Sequence, residues 1–197
     1  MKNKVWIIIA VAFVAIMILA AVLYPKLSEK YSSGGDSEPS NETSENLVEA
    51  YDFTVYDSEM NAVKLSEYFG KPIVINFWAS WCGPCKSELP AFDAMYEKYG
   101  DEVVFMMINL TDGYNETVNG VKEFVLDSGY SFPVYYDTKY DAANVYGIYS
   151  IPETVFINAD GSIYYTQLGA MSEKVLENYI KQIIGEEKEV SDNITEL

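Results

Sequence analysis

The sequence predicts an α/β domain, a central mixed β-sheet flanked by helices, preceded by one N-terminal transmembrane helix. Three observations lead there. Residues 5–24 form an uncharged apolar run, and about 20 such residues at ~1.5 Å rise span a ~30 Å hydrocarbon core. Ile73–Trp78 is almost continuously apolar behind Pro72, the pattern of a strand buried on both faces. Beyond it, apolar residues at helical spacing alternate with further short apolar runs, so strands and helices succeed one another.

The elements follow in order. Lys2 and Lys4 precede the apolar run and Pro25 and Lys26 follow it. The run is long for a signal peptide and no small-x-small cleavage site lies near its end, which favours an uncleaved signal-anchor over a cleaved signal. No Cys lies nearby to carry a lipid. Every acidic residue and every other lysine falls C-terminal to the run, so the expected topology is N-terminus in and domain out, a single-pass membrane anchor with an extracytoplasmic domain. Residues 1–26 are thus the anchor. Residues 27–50, rich in Ser, Gly and acids, are a disordered acidic linker, 51–185 the folded domain and 186–197 an acidic tail.

Within the domain, residues 52–57 read as a short strand and Ile73–Trp78 as the buried central one. A helix over Gly83–Tyr99 buries Leu89, Phe92, Met95, Tyr96 and Tyr99, and Gly100 ends it. A strand at 103–110, a helix at 116–128, a strand at 132–136 and a short helix at 140–146 come next. Strands at 154–157 and 162–167 flank Asn158-Ala159-Asp160-Gly161, a hairpin signal. A last helix covers 172–184, with Ser172 as its N-cap.

Composition removes several chemistries. There is no His, so the Ser-His-Asp and Cys-His nucleophile arrangements are absent. A net charge of −17 argues against nucleic acid as partner. Two Cys cannot staple a small secreted scaffold, and they offer at most half a zinc site, with no third Cys or His to complete it. No metal is expected.

Those two Cys lie in Trp81-Cys82-Gly83-Pro84-Cys85, between a buried strand and a helix start. A thiol there faces unpaired backbone N–H groups and the positive end of the helix dipole, both of which favour thiolate. Lowering a Cys pKa from ~8.5 toward ~7 corresponds to about 2 kcal/mol and makes Cys82 the nucleophile at neutral pH. Cys85, one turn on, can attack a mixed disulfide and release the product. Gly83 leaves room for a partner chain and Pro84 suits the first turn. No cofactor is expected beyond the Cys82–Cys85 disulfide itself.

The segment 74–86 resembles the active site of the thioredoxin superfamily, and the match is best with its membrane-anchored TlpA/ResA/DsbE-like thiol-disulfide oxidoreductases. The resemblance covers about 50–184. It implies a thioredoxin-like fold in which 116–136 is the TlpA-like helix–strand insertion. Asn76 stands where thioredoxin has a buried Asp, and Glu88 matches the branch's Glu after the second Cys. The resemblance makes Glu88 a catalytic proton acceptor for Cys85; as a bare helix position it reads equally as solvated. Asn76, polar within a buried strand, needs hydrogen bonds, with backbone partners as plausible as a catalytic one. The stretch 146–154 resembles the cis-proline loop, which would turn the Ile151 backbone toward Cys82 and make Ile151 and Pro152 substrate-binding along with Trp81, Gly83 and Pro84. As a plain sequence feature, Pro152 could also simply begin a strand.

Gly-Pro between the cysteines matches the reducing end of the scale, about −270 mV for thioredoxin against about −120 mV for DsbA. The expected activity is protein-disulfide reduction outside the cytoplasm, with electrons from a membrane donor of the CcdA/DsbD type. Apocytochrome c is the leading client, in cytochrome c biogenesis. A methionine sulfoxide reductase or misoxidised proteins are the alternative clients, and a redox-inactive binding or chaperone module is the non-enzymatic alternative.

Overall fold

Apolar patterning places the strands and backbone pairing orders them. The computed structural model describes residues 48–185; the apolar run at 5–24, most of the linker at 27–50 and the tail at 186–197 lie outside the described residues. Among the described residues no helix is long and apolar enough to cross a membrane. The elements are β1 (Thr54–Tyr56), β2 (Ala62–Lys64), a 3-10 turn (Leu65–Tyr68), β3 (Ile73–Trp78), α1 (Gly83–Tyr99), β4 (Val104–Asn109), α2 (Val118–Ser128), β5 (Val134–Tyr136), α3 (Asp141–Tyr146), β6 (Glu153–Ile157), β7 (Ile163–Leu168) and α4 (Glu173–Ile184).

They form one mixed sheet in the order β2-β1-β5-β4-β3-β6-β7. β3 is parallel to β4 and antiparallel to β6, and every residue of β3 is buried. On one face, Val74 and Trp78 pack with Leu89 and Phe92 of α1, Val121 of α2 and Leu176 and Ile180 of α4. On the other, Ile73, Ile75 and Phe77 join Ile157 and Ala142 of α3. Cover on both faces is why β3 reads as an unbroken apolar run. Each large side chain so buried contributes about 1.5–3 kcal/mol relative to exposure, and Phe92, fully buried, fixes the site helix to the sheet.

Several boundaries differ from the sequence expectation for physical reasons. β2 and the 3-10 turn were not expected: Val63 is the one buried residue of β2, too little alternation to betray a strand. α2 begins at Val118 and excludes Glu116, because Thr117 caps it by accepting from the Gly120 N–H. β5 begins after Pro133, which has no N–H for the ladder. Tyr96 is only partly buried. Gly100 does end α1, but with right-handed φ of −62°. Its requirement is steric: a Cβ there would sit 2.6 Å from the Tyr96 carbonyl oxygen. Ser172 occupies the N-cap position of α4 without a capping side-chain bond, and Glu173 supplies the favourable charge in the first turn. At the β6–β7 turn, Gly161 takes φ of +88°, as a hairpin glycine should.

Candidate active site

β3 ends at Trp78 and the chain bends through Ala79, Ser80 and Trp81 into α1, so the first turn of α1 starts at the C-terminal end of an interior strand. Cys82 is the N-cap residue, and its Sγ accepts from the Cys85 N–H at 3.1 Å. The Cys82 carbonyl accepts from the Lys86 N–H at 3.1 Å. A sulfur that caps a helix is held against its positive end, the setting that favours negative charge on it. Cys82 and Cys85 are joined as a disulfide.

In this oxidised state Cys82 is only 5% exposed and Cys85 is fully buried. What lies open beside it is Trp81, 60% exposed, and empty space over Gly83, where an added Cβ would meet nothing within 4 Å. Pro84 sits in the first turn of α1. The Ile151–Pro152 peptide bond is cis, and Cys82 Sγ lies 3.8 Å from the Ile151 carbonyl oxygen. Trp81, Gly83, Pro84, Ile151 and Pro152 therefore share one end of the sheet with the sulfurs.

Glu88 is not solvated. It is 2% exposed, accepting from Asn76 Nδ2 at 2.9 Å on one carboxylate oxygen and from the Met171 N–H at 3.0 Å on the other. Burial pushes its pKa above the ordinary carboxylate value, against the lowering by Met171 and Asn76. It lies one helical turn beyond Cys85 and is buried on the same side of α1. Asn76 makes no backbone bond with its side chain. Its Nδ2 also donates to Thr154 Oγ1 at 3.0 Å, and its Oδ1 has no partner within the described residues. Glu88, Asn76 and Thr154 thus join α1, β3 and β6.

Sequence reasoning missed Glu116, which it placed inside a helix, and Thr154 and Met171. No sequence signal could have revealed Glu116: its partner Ser80 is 36 residues away. Asn109 is fully buried and donates to Glu116. Among the described residues no three His, Cys, Asp or Glu side chains converge to hold a metal.

With this geometry established, likeness to known proteins adds to it. The AhpC/TSA family profile matches residues 48–166. Thiol-disulfide oxidoreductase ResA of Bacillus anthracis is 34% identical over 135 residues, covering 68% of this chain and 76% of that protein. ResA of Bacillus subtilis is 27% identical over 186 residues, 92% of this chain and 94% of that one. The crystal structure of StoA from Bacillus subtilis aligns with a TM-score of 0.58 at 28% identity, covering 66% of this chain and 96% of that one.

Proposed function

The chain belongs to the AhpC/TSA family, within the TlpA/ResA/DsbE-like part of the thioredoxin superfamily, and from that premise we propose that this thiol-disulfide oxidoreductase acts as an extracytoplasmic reductant of protein disulfides, serving cytochrome c maturation. The observation that carries the reading is the Cys82–Cys85 disulfide capping α1 against a cis Ile151–Pro152 bond. That arrangement presents one sulfur and one free backbone stretch to the same visitor, so an extended client can pair with the Ile151 segment while Cys82 reaches its disulfide.

The electron count is simple. A membrane donor of the CcdA/DsbD type delivers two electrons and opens the Cys82–Cys85 bond. Cys82 thiolate then attacks the client disulfide and expels one client thiolate. Cys85, deprotonated by Glu88, attacks Cys82, restores the internal disulfide and expels the second client thiolate. Gly-Pro between the cysteines, the same dipeptide as in thioredoxin, favours a second reading with a broader client range, including a methionine sulfoxide reductase. The redox-inactive alternative falls with the intact, bonded pair and the relatives' naming as oxidoreductases.

The test is capture in the native cell. Full-length Cys85→Ser should accumulate reductant-sensitive adducts in the membrane fraction, the principal one containing an apocytochrome c. Adducts confined to cytosolic proteins would refute the extracytoplasmic placement. Adducts dominated by a methionine sulfoxide reductase would replace the client.

A further inference from the structure

Glu116 carries an arrangement that the reaction above does not use. Its carboxylate is 2% exposed and accepts three short hydrogen bonds: the Ser80 N–H at 2.7 Å, Ser80 Oγ at 2.7 Å and Asn109 Nδ2 at 2.7 Å. Ser80 stands two residues before Cys82 in the bend that leaves β3, and Asn109 is the last residue of β4. Among the described residues the ion pairs are those of Glu177 with Lys98 and Lys181, so no lysine neutralises Glu116. Its charge is held by neutral donors alone.

The donors are themselves fixed. Asn109 Oδ1 accepts from Thr111 Oγ1 at 2.7 Å, which orients the amide so that Nδ2 faces Glu116. The Glu116 N–H donates to Asp112 Oδ1 at 2.9 Å, and the Glu116 carbonyl accepts from the Gly113 N–H at 2.9 Å. The loop between β4 and α2 is thereby wound around one carboxylate, and that carboxylate holds the turn ahead of the nucleophile. A buried carboxylate is costly to keep without a cation. Here two of its three bonds go to Ser80, in the bend that leads from β3 to Cys82.

We infer that Glu116 is a positioning residue for Cys82: it clamps Ser80 to the end of β4 and so holds the nucleophile on the N-terminus of α1. The inference rests on the disulfide-exchange reading and deepens it, by adding a residue from the insertion loop to the machinery of the cysteine turn. Glutamine can keep the clamp without the charge. Its Oε1 accepts from the Ser80 N–H and Asn109 Nδ2, while the Ser80 hydroxyl rotates to accept from its Nε2. Alanine keeps neither.

The experiment compares wild type, Glu116→Gln and Glu116→Ala, full-length and reduced. Each is assayed for insulin-disulfide reduction and for the pH midpoint of Cys82 alkylation across about pH 5 to 9, a range bracketing the free-thiol value of ~8.5. The expected result for Glu116→Ala is a kcat lower by about tenfold or more, the scale of a buried donor left without its acceptor, with KM little changed and the midpoint raised. Glu116→Gln should stay within about twofold of wild type. If Glu116→Ala, folded by circular dichroism at the assay temperature, keeps the wild-type midpoint and rate, the inference is overturned. It is overturned equally if Gln is as slow as Ala, because charge rather than the clamp would then be responsible. Should Glu116→Ala fail to fold, Ser80→Ala takes its place: a raised midpoint upholds the clamp and an unchanged one removes it. A wild type that reduces no disulfide would sink the proposed function, while the alkylation midpoints would still decide Glu116.

Discussion

Cys82→Ser should abolish disulfide reduction, and Cys85→Ser should stop the enzyme after one attack. Both effects follow from the positions of the two sulfurs. Cys82 caps α1 and accepts from the Cys85 N–H, so in the dithiol form its sulfur is the one held as thiolate at a helix N-terminus. Cys85 is fully buried, and burial in apolar surroundings disfavours its charged form. In the reduced protein, Cys82 should therefore be alkylated at least about tenfold faster than Cys85 at neutral pH. Cys85→Ser should accumulate a stable Cys82 mixed disulfide with insulin chains, visible by intact mass. Equal alkylation of the two thiols would show that the capping geometry does not select the nucleophile.

Glu88→Gln should slow resolution of that mixed disulfide by about a hundredfold, the lower range for loss of a positioned general base, with the fold intact. The amide can be accommodated because Asn76 Oδ1 is unpartnered. If the Asn76 side chain flips, Oδ1 accepts from Gln Nε2 and from the Thr154 hydroxyl, and the Met171 N–H keeps an acceptor. Stability supplies a second readout. Burial raises the Glu88 pKa above its ordinary value of 4.5, so the folded state holds this proton at pH values where the unfolded chain has lost it. Its contribution to stability therefore falls as pH rises from that value to the raised one, and is level beyond. Glu88→Gln should remove this slope from urea titrations measured over that window. Wild-type resolution by Glu88→Gln would leave water or a client group as the proton acceptor.

Much of the fold was legible because its signals are local. Ile73–Trp78 announces a doubly covered strand by its composition, and Leu89, Phe92 and Met95 mark the buried side of α1 by their spacing. The cysteine pair was legible for the same reason, since strand, bend and helix start are contiguous. What stayed hidden is what folding brings together from afar. Glu88 could be numbered as three residues past Cys85, but its burial depends on Met171 and Asn76, 83 and 12 residues away. Glu116 looked like the start of an amphipathic helix, because nothing local says that its carboxylate turns back to Ser80. β2 escaped because three residues with one buried side chain leave no period to detect.

The sheet is not equally stitched along its width. β3 pairs with β4 through six residue pairs and with β6 through five, whereas β1 meets β5 through the single pair Tyr56 and Tyr136. Beyond that pair, the β1–β2 hairpin is tied by the Thr54 N–H donating to Asp141 Oδ2 at 2.7 Å, by Lys122 Nζ donating to the Ser58 carbonyl at 2.7 Å, and by Val55, buried in the core. A seam this narrow divides the domain into regions that open at different free energies. The hairpin can detach in a sub-global fluctuation while β3, β4 and β6 stay closed around the cysteines. Amide protons of β1 and β2 should then exchange with solvent well before those of β3, which are released only by global unfolding; simultaneous exchange would mean the seam is stronger than its ladder. On that expectation the breathing of this molecule is confined to the side of the sheet away from the cysteines, and the sulfurs stay mounted on the part that moves last.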